Sequence, residues 1–128
     1  MRILDITTTL AGPYATQLLG DFGADVIKIE PPGRGDDLRY YPPVLPELPD
    51  QGGPFLWGNR SKRSVALDLK NPQGLALARE LAREADVLVE NFSTGVMPRF
   101  GLGPEELRAA NPKLVYCSIS AYGREGPF

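Results

Sequence analysis

At 128 residues, with 42% hydrophobic and 23% charged residues and a net charge of −2, the chain has the size and balance of one ordinary soluble domain. That balance gives no global pull toward nucleic acid or an anionic membrane surface, so any anion site must be built locally. With no histidine and one cysteine, imidazole-based triads and transition-metal centres are excluded for this chain, and no internal disulfide can form.

Short β-type runs alternate with helical periodicity, the pattern of βαβ units around a largely parallel sheet. "RILDIT" (2–7) predicts the first strand. Gly12-Pro13 then opens a helix, with Pro13 suited to the first helical turn and Leu18, Leu19 and Phe22 expected as its apolar stripe. "ADVIKIE" (24–30) predicts a second strand. Residues 31–57 carry too many prolines and glycines for a regular element and are expected to form a long loop.

"RSVALDL" (63–69) alternates apolar and polar residues, as a half-covered strand near a sheet edge does. Asn71-Pro72 caps and starts a helix to about Glu84, with Leu75, Ala78, Leu81 and Ala82 on one face. "ADVLVE" (85–90) predicts a central strand. Gly103-Pro104-Glu105-Glu106 opens a short helix whose acids match the positive end of its dipole, and Asn111-Pro112 ends it. "KLVYCSIS" (113–120) predicts the last strand, and Cys117 within it is expected to be a buried, reduced thiol of a cytoplasmic protein. No charged-then-apolar leader and no long apolar run is present, so neither a signal peptide nor a membrane span is expected.

In an open parallel sheet the ligand crevice lies beyond the carboxyl ends of the strands. Here those ends are Thr8 to Ala11, Glu30 to Gly35, Asp68 to Lys70, Glu90 to Phe92, and Ser120 to Gly123. Arg34, Arg39, Lys70 and Arg99, with the basic run "NRSKRS" (59–64), are the cations expected at that rim, and such a set suits phosphate oxygens. "ADVIKIE" and "ADVLVE" both end on an acid followed by a loop with an arginine, so two strand ends are expected to face one place. A nicotinamide dinucleotide is disfavoured. Glu30 stands where a ribose-binding acid belongs, but "LAGPYATQ" has one glycine where the fingerprint needs three, and Pro13 lacks the N–H that would cradle a pyrophosphate.

The stretches "LAGPYATQLLGDFGADVIKIEPPGRGDDLR", "NRSKRSVALDLKNPQG" and "ADVLVENFSTGVMPRFGLGPEEL", followed by "NPKLVYCSISAYGREGP", together resemble the N-terminal segment of family III CoA-transferases, the formyl-CoA and carnitine CoA-transferase class. The resemblance covers nearly the whole chain apart from the tip of the 40–54 loop. It implies an α/β, Rossmann-like open sheet with flanking helices, here the N-terminal portion of a large domain. It further implies a second, smaller domain outside this chain and an interlocked homodimer. Acyl-CoA and a carboxylic acid would be the partners, with no metal.

By the family pattern, coenzyme A would contact Leu10 and Ala11 in the first loop, then Leu67, Asp68, Leu69 and Lys70. It would go on to contact Asn91 and Phe92, and finally Arg99 with Phe100. The family's nucleophilic aspartate would lie beyond Phe128, so no catalytic residue is expected in this chain and it should be inactive alone. Two further readings stand beside this one. They are the 2-methylacyl-CoA racemase branch of the same family and a stand-alone module that binds coenzyme A or a nucleotide. Some transferases carry a polar residue where Leu10 stands and a cation where Pro31 stands, which leaves the acyl substrate open.

Overall fold

The computed structural model describes residues 1–126 as a five-stranded, all-parallel sheet with helices on both faces. Strands β1 (Arg2–Asp5), β2 (Asp25–Glu30), β3 (Lys62–Ala66), β4 (Val87–Glu90) and β5 (Val115–Ser118) lie in the order β3-β2-β1-β4-β5. The order reverses beside β1, so the crevice of a doubly wound fold opens between the ends of β1 and β4. The connecting helices are α1 (Ala11–Asp21), α2 (Gly53–Asn59), α3 (Pro72–Glu84), α4 (Val96–Arg99) and α5 (Pro104–Ala110).

Side chains alternate across the sheet, and the two faces differ in chemistry. On one face Leu4, Ile6, Ile27, Ile29 and Leu88 pack with Ala78, Ala82, Met97, Leu102 and Leu107 into the main core. The small alanines of α3 let that helix lie close to the strands. Asn71 caps it as the sequence predicts, accepting from the Gln73 N–H at 2.9 Å. The other face begins apolar with Ile3, Val26 and Val89. Toward the carboxyl ends it turns polar, with Asp5, Lys28 and Glu30 all buried.

That polar half explains why α1 is rotated from its expected setting. The helix buries Gly12, Pro13, Thr16 and Gln17, while Leu18 and Leu19 are partly exposed and Phe22 is 89% exposed. Thr16 Oγ donates to Asp5 Oδ2 at 2.6 Å, a bond that a leucine in its place would leave unmade. Gly12 fits for a steric reason. A Cβ there would come within 2.4 Å of the Thr7 side chain. Gly12→Ala should therefore destabilise the fold by about 1–3 kcal/mol, the usual scale of overpacking, read as a lower urea midpoint; an unchanged midpoint would show that α1 can shift freely.

Three more expectations change. The 31–57 span contains a 3-10 turn at Asp37–Tyr40 and the start of α2 at Gly53. Asp36 nucleates the turn by accepting from the Leu38 N–H at 3.0 Å, which supplies locally the order that the proline count argues against. Cys117 is exposed, because β5 is an edge strand with a largely uncovered face. The basic run precedes and opens β3 at its amino end, and acids of the chain take up its charges: Arg60, Lys62 and Arg63 pair with Asp21, Asp5 and Asp25. Its charges do not belong to the rim.

Candidate functional site

At the carboxyl ends a cleft of about 180 Å³ opens beside β2 and β3. Ile6 and Thr8 reach it from the end of β1 and Ile29 from β2, while Leu67 to Lys70 follow β3. Phe92 and Phe100 complete it from beyond β4 and α4. Its exposed lining is mostly carbon. Leu67, Leu69, Phe92 and Phe100 also pack against the main core, so the cleft is an outward continuation of that core. A cleft with two phenylalanines and a bend of backbone suits a planar, hydrogen-bonding ring.

The bend after β3 is held locally. Asp68 Oδ1 accepts from the Lys70 N–H at 2.9 Å, and the Asp68 carbonyl accepts from the Asn71 N–H at 3.0 Å. Gly74 lets the first turn of α3 press against that bend, since a Cβ there would sit 2.4 Å from the Asp68 carbonyl oxygen. The sequence signal for this geometry is the Asp-x-x-Asn-Pro run that joins strand to helix.

Six of the predicted contact residues therefore meet in one cleft: Leu67, Asp68, Leu69, Lys70, Phe92 and Phe100. The other four stand elsewhere. Leu10 and Ala11 are exposed at the start of α1, and Arg99 is exposed at the end of α4. Asn91 lines a neighbouring, more open hollow of about 310 Å³ with Phe92, Ser93, Thr94 and Arg124. Among the described residues, Lys70 and Arg99 have no ion-pair partner, which leaves both charges available to an anion. Arg34 and Arg39, expected at the same rim, are engaged. Arg34 pairs with Asp37 at 2.8 Å, and Arg39 forks onto Glu30 at 2.7 and 2.8 Å while stacking over Phe55.

The two strand-end acids thus face inward as anchors. Burial raises the Glu30 pKa, but bonds from Arg39, Ser64 and the Asp36 N–H outweigh it and hold the carboxyl at about 2. Glu90 accepts from the Phe92 N–H at 2.8 Å and from Arg124 at 2.7 Å, while Arg124 also donates to the Phe92 carbonyl at 3.0 Å. Ser118 Oγ donates to Glu90 as well. Each acid–arginine pair fixes the loop that follows its strand, and Glu90 with Arg124 sets Phe92 at the cleft.

Sequence reasoning missed Lys28 and Asp36, a buried pair 3.0 Å apart just behind the first loop. The signal was present in "DVIKIE", where a lysine shares a strand face with Val26 and must find an acid once buried. Among the described residues, no group of three or more His, Cys, Asp or Glu is placed to hold a metal ion, and no helix is long and apolar enough to cross a membrane.

A family model for CoA-transferase family III matches residues 1–128. The chain is 46% identical to a succinate–glutarate CoA-transferase of Agrobacterium fabrum, over 100% of this chain and 33% of the relative. It is 48% identical to an acetyl-CoA:oxalate CoA-transferase of Acetobacter aceti, over 99% of this chain and 32% of the relative. The crystal structure of a CAIB/BAIF family protein from Brucella suis superposes with a TM-score of 0.92 at 43% identity, covering 99% of this chain and 34% of that one. The chain spans about a third of the length of these relatives. On the match across its whole length, together with the all-parallel fold it shares with that solved structure, the chain belongs to CoA-transferase family III.

Proposed function

We propose that the cleft at the ends of β1 to β4 binds coenzyme A, and that the chain is the coenzyme-binding part of an enzyme moving coenzyme A between carboxylic acids. The observation that carries the reading is an apolar cleft, which Phe92 and Phe100 help to form, lined as well by Lys70, a cation with no ion-pair partner among the described residues. Coenzyme A has the matching parts, a flat base and several phosphates. The adenine would lie among Leu67, Leu69, Phe92 and Phe100, with backbone groups at Leu67 to Lys70 toward its edge. Lys70 and Arg99 would meet phosphates, and Leu10 and Ala11 would border the same ligand.

In the reaction so proposed, an aspartate lying beyond Phe128 attacks the thioester carbonyl of the acyl-CoA. The coenzyme A thiolate leaves and a mixed anhydride forms. The thiolate then attacks the aspartyl carbonyl, releasing the first acid and leaving an enzyme–CoA thioester that the acceptor acid resolves. This chain would bind and orient the coenzyme. The second domain, the interlocked homodimer and the cytoplasmic setting belong to the same proposal. The relatives' names support the transferase branch over the racemase branch, since they include transferases of succinate, glutarate and oxalate.

Arg99→Ala tests the reading by calorimetric titration with coenzyme A. Losing an exposed charge-assisted bond to phosphate should cost about 1–2 kcal/mol, roughly tenfold in Kd, and should flatten the salt dependence of binding. An unaltered Kd would remove Arg99 from the site.

A further inference from the structure

The first βα turn, Thr7 to Ala11, lies where doubly wound folds offer free backbone N–H groups to a ligand phosphate. Here the first three of those groups, at Thr7 to Thr9, are already engaged by side chains. The Thr7 N–H donates to Asp5 Oδ1 at 2.9 Å, the Thr8 N–H to Asn91 Oδ1 at 3.0 Å, and the Thr9 N–H to Asp36 Oδ1 at 3.1 Å. The carbonyls of Thr7 and Thr8 accept from Lys28 Nζ at 2.7 Å and Asn91 Nδ2 at 2.9 Å. Asn91 therefore holds Thr8 by both its N–H and its carbonyl, as a neighbouring strand would.

Lys28 and Asp36 are each 1% exposed. A buried ion pair is a weak stabiliser compared with a well-packed apolar pair, so its presence calls for some other use. The backbone it grips supplies one. Thr9 has φ of 67°, the left-handed region that a β-branched residue avoids unless its surroundings impose it. The groups that impose it come from β2, from the loop after β2, and from the loop after β4.

We propose that Lys28, Asp36 and Asn91 are positioning residues that lock the Thr7 to Ala11 turn. The ligand then meets a prebuilt edge at Leu10 and Ala11 in place of the Thr7 to Thr9 amides. Asn91 acts on binding through Thr8, without its amide touching the ligand. Only the ligand's identity rests on the coenzyme A reading; the lock rests on the hydrogen bonds alone.

Amide hydrogen exchange on the free wild-type protein is the first measurement. Although they lie outside helix and strand, the Thr8 and Thr9 amides should exchange roughly 100-fold slower than the exposed loop amide of Gly33. Rapid exchange at Thr8 and Thr9 would overturn the proposal without any variant. In Asn91→Ala those two amides should accelerate at least about tenfold while Ile29 and Leu88 in the sheet do not, and the Kd for coenzyme A should rise about tenfold. Leu107→Ala, which destabilises the core from α5, should leave that Kd unchanged, separating positioning from loss of stability. Weaker binding by Asn91→Ala with exchange at Thr8 unaltered would make Asn91 a direct contact and sink the lock. Slow exchange in a wild-type protein that does not bind coenzyme A would support the lock and refute the ligand reading.

Discussion

Asp5→Asn should destabilise the protein by about 3–5 kcal/mol, the cost of breaking a buried ion pair from one side. The reason lies in what stays behind. Lys62 Nζ is 2.8 Å from Asp5 Oδ2, and the two side chains are 2% and 0% exposed. Without the carboxylate, the ammonium would keep only the Pro13 carbonyl at 2.8 Å and Asn59 Oδ1 at 2.9 Å, both neutral. Asp5 also accepts from the Thr7 N–H and from the hydroxyls of Thr7 and Thr16. An asparagine offers one acceptor oxygen to a set arranged around two. Burial raises the Asp5 pKa, but the charges of Lys28 and Lys62 outweigh that and hold it below the ordinary value, so the group is ionised at neutral pH. Urea unfolding followed by circular dichroism measures the loss. A cost below about 1 kcal/mol would mean that water reaches Lys62 when Asp5 is neutralised.

Acid should weaken the protein through Glu30 before it protonates that group in the fold. Folded Glu30 has a pKa of about 2 against an ordinary value of 4.5. Its contribution is fully present above pH 4.5 and is lost as the pH falls from there toward 2. The shift corresponds to roughly 3 kcal/mol at full strength, and partial exposure of Arg39 brings the expected contribution to about 2–3 kcal/mol. Asp5 is displaced in the same direction, so the two losses overlap at low pH. Glu30→Gln should remove its share, flattening the stability curve between about pH 5 and pH 2 and lowering stability at pH 7 by about 2–3 kcal/mol. Parallel curves for wild type and variant across that window would assign the acid sensitivity to other carboxylates.

The strands and α3 were legible because each carries its own signal. "ADVLVE" can hardly be anything but an inner strand, and Asn-Pro with alanines spaced along one face predicts α3 from cap to buried stripe. The rim was legible through a geometric rule, which needed only the strand ends. What could not be read is which polar groups the fold consumes. Arg39 and Lys70 look alike as cations near a strand end, yet Arg39 is committed to Glu30, and only the folded path of residues 31–39 shows it. The rotation of α1 was hidden for a related reason. Apolar periodicity assumes that the facing sheet is apolar, whereas α1 covers Asp5 with Thr16 and leaves Leu18 and Leu19 at the surface. Cys117 failed on coverage, since an apolar run at a sheet edge has a partner on one side only.

The strand order also sets a timetable for assembly. β1 is synthesised before both of its neighbours, and its register with β4 joins Ile3 to Val87 and Leu4 to Leu88. Its partner on one side, β2, follows soon, but the other edge must wait until β4, which begins at Val87, has been made. Until then the growing protein carries an open, apolar strand edge, the kind that pairs with other chains. The long sequence separation that closes the sheet also slows its closure. The crevice takes shape in that same step, because it lies between β1 and β4.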